Sequence, residues 1–259
     1  MLTYRNTSVF FLVLILIAAG ADRYIDISVW VYVVIGLCWT AILALGSINI
    51  TWNFYFKSYY RANTEKHEIA LTFDDGPHTC LTPAVLDILK VHEVKAAFFL
   101  IGRLAAESPA IVSRIDAEGH VLGNHSFSHH YFFDLFPARK MQDELKQTAE
   151  AIEEVTGRKI RWFRPPYGVT NPMLASAVRR SGYISIGWSL KSRDTVLTDS
   201  REVTDRILER VRPGDVLLFH DSRSVTPVVL KELIPALKKK GFTIVRPDRL
   251  LNLTAYENN

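Results

Sequence analysis

Two aspartates, Asp74 and Asp75, stand side by side at the end of an apolar run, in the segment IALTFDDGP (residues 69–77). Like charges where a strand leaves its sheet are costly unless a cation or hydrogen bonds hold them. The chain offers partners for such a cation. His125 and His129, in HSFSH, lie four residues apart and face the same side if that segment is a helical turn. Two neutral imidazoles and a carboxylate make an open site for zinc or a similar divalent ion, leaving positions for water and substrate. A His-x3-His pair alone is commonly incidental, but a paired aspartate in need of a cation reverses that reading. The adjoining His130 would point about 100° away on a helix and is assigned to the surface. His120, just before a strand, is assigned a structural hydrogen bond.

These groups need elements to position them. From about Glu68 the chain alternates short apolar runs (68–73, 95–101, 120–123, 161–164, 184–190, 215–219 and 242–245) with amphipathic helical stretches. That alternation implies an α/β fold with about seven parallel strands. Helix signals separate the runs: Thr82-Pro83, the residues 137–157 ending in Gly157, and Asn171 as a cap before Pro172 with Gly182 as the stop. Such a chain can close into a barrel or remain an open doubly wound sheet. In both, functional residues gather at the carboxyl ends of the strands. The chemically capable residues fall there: Asp74 and Asp75, then Asn124, His125 and His129, then Arg164 with PPYG, then Asp194, then His220 and Asp221.

The front of the chain is of another kind. Residues 8–21 and 27–50 contain no charged side chain, and the second run has the roughly 20 residues that a bilayer-spanning helix needs. Trp30, Tyr32, Trp52, Phe54 and Tyr55 at its edges suit the headgroup zone. The first run also fits a cleavable signal peptide. The reading adopted is a two-helix membrane hairpin over residues 1–56, a juxtamembrane linker over 57–67 and a catalytic domain over 68–259, in a multi-pass protein of the cell membrane. Arg5 before the first run and Lys57, Arg61 and Lys66 after the second favour cytoplasmic ends, whereas cleavage of the first run would turn the domain outward.

A net charge of +4 with a pI near 9.0 does not by itself imply nucleic acid, because the compact basic run LKKKG sits at a helix end, where cations complement the dipole. Nucleic acid is excluded as a partner, and the lipid bilayer is expected as one. Cys38 and Cys80 are too far apart in this architecture to pair. The oligomeric state is left open.

Four segments in order, TFDDG (72–76), HSFSH (125–129), RPPYG (164–168) and LFH (218–220), resemble the motifs of the polysaccharide deacetylases, carbohydrate esterase family 4, with a NodB-type domain. The resemblance covers residues 68–250. It implies a distorted (β/α) barrel, one divalent metal ion, usually zinc, and removal of N-acetyl groups from amino sugars. By the same resemblance Asp74 is the general base and Asp75 a metal ligand with His125 and His129. Arg164 holds Asp74, the backbone N–H of Tyr167 stabilises the oxyanion, and Leu218 lines the acetyl pocket. His220 is the general acid, oriented by Asp194. Arg103, at a strand end in FFLIGR, reads either as a partner of Asp194 or as a solvated arginine. The chain departs from the common pattern at Lys191, where many relatives have aspartate, and at Thr195, where many have tryptophan.

The expected function is therefore metal-dependent hydrolysis of the N-acetyl group of an amino sugar in a polysaccharide, peptidoglycan or glycolipid. Two alternatives stand beside it: an inactive glycan-binding or scaffold barrel, and an O-acetyl esterase using the same site.

Overall fold

The structure, a computed structural model, describes residues 2–257. Helices α1 (Tyr4–Ala21) and α2 (Val29–Ile48) form an antiparallel hairpin, packed through Phe11, Ala18 and Ile35 with Phe11 stacked on Trp39. Both are long and apolar enough to cross a membrane, with mean hydropathies of 1.6 and 2.2.

Nine strands follow: β1 (Ser58–Tyr59), β2 (Glu68–Gly76), β3 (Ala97–Leu100), β4 (Val121–Asn124), β5 (Trp162–Phe163), β6 (Ile184–Ile186), β7 (Leu190–Lys191), β8 (Val216–His220) and β9 (Thr243–Ile244). All their ladders are parallel, in the order β1-β6-β5-β4-β3-β2-β8-β7, with β9 pairing the start of β2. The fold class is the expected one, with two strands more than the apolar runs indicated. β1 lies in the stretch read as a linker, and the run 184–190 breaks at Gly187 into β6, next to the edge strand β1, and β7, at the opposite edge of the sheet. Residues 187–189 cross that opening: the Gly187 N–H donates to Tyr59 O and the Ser189 N–H to Val216 O. The sheet curls into a half-barrel because one segment serves both of its edges.

Around the sheet run α3 (Leu81–Val91), α4 (Gly102–Glu107), α5 (Pro109–Ala117), α6 (Ala138–Thr156), α7 (Pro172–Arg180), α8 (Ser200–Arg210), α9 (Val225–Lys239) and α10 (Pro247–Leu251). The expected caps are present. Asn171 Oδ1 accepts from the Leu174 N–H at 2.8 Å, and Gly157 ends α6 with φ 67°.

Side chains alternate across a strand with a period of two. Ile69, Leu71 and Phe73 of β2, Phe98 and Leu100 of β3, and Leu217 and Phe219 of β8 face the helices, packing with Leu86, Leu89, Ile152, Ile207, Leu230 and Leu233. The opposite parity faces the barrel interior. On β2 it carries Ala70, Thr72 and Asp74, paired in register with Val216, Leu218 and His220 on β8. The alternation that builds the core thus also delivers Asp74, Leu218 and His220 to one side.

The hairpin does not stand apart from this domain. The Thr170 N–H donates to Ser47 O at 2.9 Å, the Tyr55 hydroxyl to Leu43 O, and Ile50, just beyond α2, is buried against Trp188 and Leu218. Gly46 permits the close approach, since a Cβ there would lie 2.3 Å from the Phe54 ring.

Candidate functional site

In a regular strand Asp74 and Asp75 would point to opposite faces. A bulge prevents this. The register of β2 against β3 shifts between Asp74 and Gly76, and Asp75 takes a left-handed φ of 72°. Both carboxylates consequently line the same pocket, of about 610 Å³, at the carboxyl ends of the strands.

His125 follows β4 directly and is buried. Its Nδ1 lies 2.8 Å from Arg164 O, so that N–H donates to the carbonyl and Nε2 faces the aspartates. His129 does not reach the site through a helical turn. Residues 125–129 form a loop with left-handed backbone at Ser126 (φ 63°) and His129 (φ 48°). Glu144 of α6 ties that loop down, accepting from the Phe127 N–H at 3.0 Å, the Ser128 N–H at 2.7 Å and the Ser128 hydroxyl. The result places both Nε2 atoms near one Asp75 oxygen, at 3.5 Å for His125 and 3.3 Å for His129.

Arg164 is fully buried and uses its whole fork. It donates to Asp74 Oδ1 at 2.7 Å, Thr72 Oγ1 at 2.8 Å, Ile186 O at 3.0 Å and Gly187 O at 2.8 Å, and its guanidinium lies 4.1 Å from the Phe99 ring centroid. Asp74 is thereby fixed by a charge-assisted bond, with its other oxygen 3.8 Å from His125.

Asp194 is buried beneath His220 and does not pair with Arg103, which instead meets Glu107 on an exposed face of α4. The aspartate is already engaged by His220 and by the Thr226 hydroxyl at 2.7 Å. Leu218 and Tyr167 both line the pocket. The Tyr167 ring is half-exposed and sits 4.7 Å from His129, while its backbone has a left-handed φ of 59°.

Electrostatics sort these groups by role. Burial would raise the Asp75 pKa, but the hydrogen bond and charge of His125, with lesser help from His220 and His129, hold it far below the ordinary value. Burial works against a charge on His125, yet Asp74 and Asp75 outweigh it and raise its pKa. Burial, aided by His125, lowers His129 to about 4. Burial also opposes a charge on His220, but the bonded Asp194 outweighs it and raises the imidazole's pKa, while the same bond lowers that of Asp194.

The donor set suits a divalent ion. One ligand atom from each of Asp75, His125 and His129 lies within 4.8 Å of the others, and the second nitrogen of His125 is held by a carbonyl, as metal-binding imidazoles are. Several pocket residues went unread in the sequence: Trp188, Arg193, Arg223, and the supports Glu144 and Ile50. Glu144 left a signal, a carboxylate inside the apolar stripe Met141, Leu145, Thr148 and Ile152 of α6. The others sit in irregular segments with no period. His120, as expected, is structural, accepting from the Ala96 N–H at 3.1 Å, and His130 is exposed.

A curled parallel half-barrel whose pocket holds Asp74 and His220 beside a carboxylate–imidazole cluster belongs with the deacetylases, hydrolases that act on non-peptide carbon–nitrogen bonds. Within that class the chain is a member of the polysaccharide deacetylase family, whose model matches residues 61–186. It is 33% identical over 199 residues to a chitooligosaccharide deacetylase of Azorhizobium caulinodans, covering 71% of this chain and 94% of that one. It is 33% identical over 200 residues to the peptidoglycan-N-acetylmuramic acid deacetylase PdaA of Bacillus subtilis, covering 76% of each. Among solved structures, the peptidoglycan N-acetylglucosamine deacetylase Bc1960 matches with a TM-score of 0.72 and 32% identity, over 77% of this chain and 95% of that one. The family is generally metal-dependent.

Proposed function

We propose that this chain removes the N-acetyl group from an amino sugar in a polysaccharide, peptidoglycan or glycolipid, and that Asp75, His125 and His129 hold one divalent ion of the zinc type. The observation that carries the reading is the convergence of those three ligands within 4.8 Å in a pocket that Asp74 and His220 also line. When bound, such an ion polarises water and the acetamide carbonyl. The rest of the chemistry falls to the chain. Asp74, fixed by Arg164 and left out of the ligand set, takes the proton from the attacking water. The backbone N–H of Tyr167 donates to the developing oxyanion. His220, kept protonated by Asp194, gives its proton to the departing amine. Leu218, with Trp188 and Ile50 packed against it, forms an apolar seat for the acetyl methyl.

An amine departs poorly unless protonated, whereas an alcohol leaves an ester with less help. A histidine held in its acid form therefore favours the amide over the O-acetyl ester. The retention of base, acid and complete ligand set favours an enzyme over an inactive barrel. Exposed Tyr131 and Tyr167, edge to face at 6.0 Å on the rim, suit stacking against a sugar.

We also read α1 and α2 as a membrane anchor, because their outward faces are a continuous apolar surface carrying Phe10, Leu16, Ile17, Val29, Trp30 and Leu37. Alkaline extraction should leave the chain in the membrane pellet. The decisive test of the activity is acetate release from chitooligosaccharides and peptidoglycan fragments by the metal-loaded full chain. Asp74→Asn should abolish turnover while keeping the metal, and His125→Ala should lose both. Undiminished activity in Asp74→Asn would reject its role as base.

A further inference from the structure

The mechanism leaves three cationic residues of the pocket without a task. Lys191, Arg193 and Arg223 line the cavity that also holds Asp74, Asp75 and His220. Among the described residues none of the three meets a carboxylate. Lys191 Nζ lies 4.8 Å over the Trp188 ring, and the pocket's own acids are taken, Asp74 by Arg164 and Asp75 by the two imidazoles. Partial burial and the nearby Arg193 push the Lys191 pKa down, against the opposing pull of Asp74.

They are nonetheless carried on firm backbone. Lys191 ends β7, whose Leu190 and Lys191 pair with Leu217 and Leu218. Arg193 lies between the buried Ser192 and Asp194, with Ser192 N–H bonded to Leu218 O and Asp194 N–H to Ser192 Oγ. Its left-handed φ of 67° is an uncommon conformation for an arginine, adopted in the loop that places Asp194 under His220. Arg223 follows His220 in a turn, its N–H donating to His220 O at 3.2 Å and its carbonyl accepting from Thr226. Two segments that position the acid catalyst thus also hold unpaired positive charge over the pocket.

We propose that Lys191, Arg193 and Arg223 form an anion subsite that binds a phosphate group carried by the acetylated sugar. A carboxylate is satisfied by one bidentate arginine, whereas three cations match a phosphate ester, with its greater charge and several acceptor oxygens. The chemistry of the substrate allows it: in a 2-acetamido sugar the anomeric carbon is next to the carbon that bears the scissile acetamide. Such a phosphate has two sources, a soluble sugar phosphate or a sugar on a lipid phosphate carrier. The second accords with the docking of α2 beside the pocket through Ile50. This inference rests on the deacetylase reading.

The test uses the full chain in detergent or in vesicles, loaded with a divalent metal. Acetate release is compared for N-acetylglucosamine 1-phosphate, its neutral methyl glycoside, and N-acetylglucosamine on a polyprenyl diphosphate. The expected result is a kcat/KM at least about tenfold higher for the phosphate-bearing sugars, expressed mainly in KM and narrowing as salt rises. Lys191→Gln, Arg193→Gln and Arg223→Gln together should erase that preference. Whichever phosphate-bearing sugar is turned over faster identifies the source. Equal kcat/KM for neutral and phosphorylated sugars, or a preference that survives in the triple variant, overturns the subsite. Failure of the deacetylase reading shows differently, as no acetate from any sugar. In that event direct binding of N-acetylglucosamine 1-phosphate decides the subsite alone: at least about tenfold weaker in the triple variant supports it, and equal binding overturns it.

Discussion

Asp194 grips His220 at two points, accepting from its ring Nδ1 at 2.8 Å with one oxygen and from its backbone N–H at 2.7 Å with the other. This grip sets both the direction of the imidazole and its charge. In the proposed mechanism His220 acts in its protonated form, so activity should be lost as pH rises through its pKa, which the bonded Asp194 moves upward against burial. Asp194→Asn should lower kcat about 100-fold and shift the alkaline limb of the rate profile to lower pH. A pH profile of kcat decides it, because a merely structural defect would lower the rate without moving the limb.

Glu144 never touches the proposed ion, yet it accepts two backbone N–H groups of the loop that carries His129. Glu144→Gln weakens both bonds and loosens one imidazole. Metal affinity should fall about 10- to 100-fold, as read by competition with a chelating dye, while the melting of the barrel changes little.

Arg164 and Asp74 form a buried ion pair at 2.7 Å. Arg164→Met leaves a carboxylate without its counter-charge among Thr72, Ile186 and Gly187. Thermal or denaturant unfolding in detergent should show a loss of about 3–5 kcal/mol.

Asp221 is buried against Thr82 and Gly76, and one of its oxygens has no partner among the described residues. Burial raises its pKa from 3.8 to about 7. Between those values the folded chain holds a proton that the unfolded chain has released, so this group's contribution to stability falls as pH rises from about 4 to about 7. Asp221→Asn should flatten that part of the stability profile, measured as melting temperature against pH.

Ile50 sits just past α2 and is buried with Trp188 and Leu218. Ile50→Ala opens a cavity behind Leu218, the proposed seat of the acetyl methyl. A stability loss of about 2–5 kcal/mol is expected, together with a raised KM for acetylated sugars relative to the parent chain.

Much of the architecture was legible because its signals are local. The runs at 68–73, 95–101 and 215–219 are short and apolar, and each became a strand, the first and last of them turning Asp74 and His220 inward. Strand β1 was not legible, since it lies outside every apolar run, in the stretch read as a linker. The break at Gly187 was hidden inside one apolar run, because continuity of hydrophobic residues says nothing about which edge of a sheet they join. Arg103 was offered to Asp194 on the strength of its place at a strand end, but it turned to Glu107 four residues along its own helix.

The sequence by itself determined which chemistries were available: two adjacent carboxylates, two imidazoles four residues apart, a histidine at a strand end and an apolar front. Residue type and short spacing suffice for that. Tertiary structure decided their mutual placement through the bulge at Asp75, the left-handed loop that brings His129 inward, the placing of Lys191, Arg193 and Arg223 along one pocket, and the seating of Ile50 against the pocket wall. Those outcomes depend on closing long stretches of chain around one barrel, and no local pattern of side chains encodes where distant segments meet.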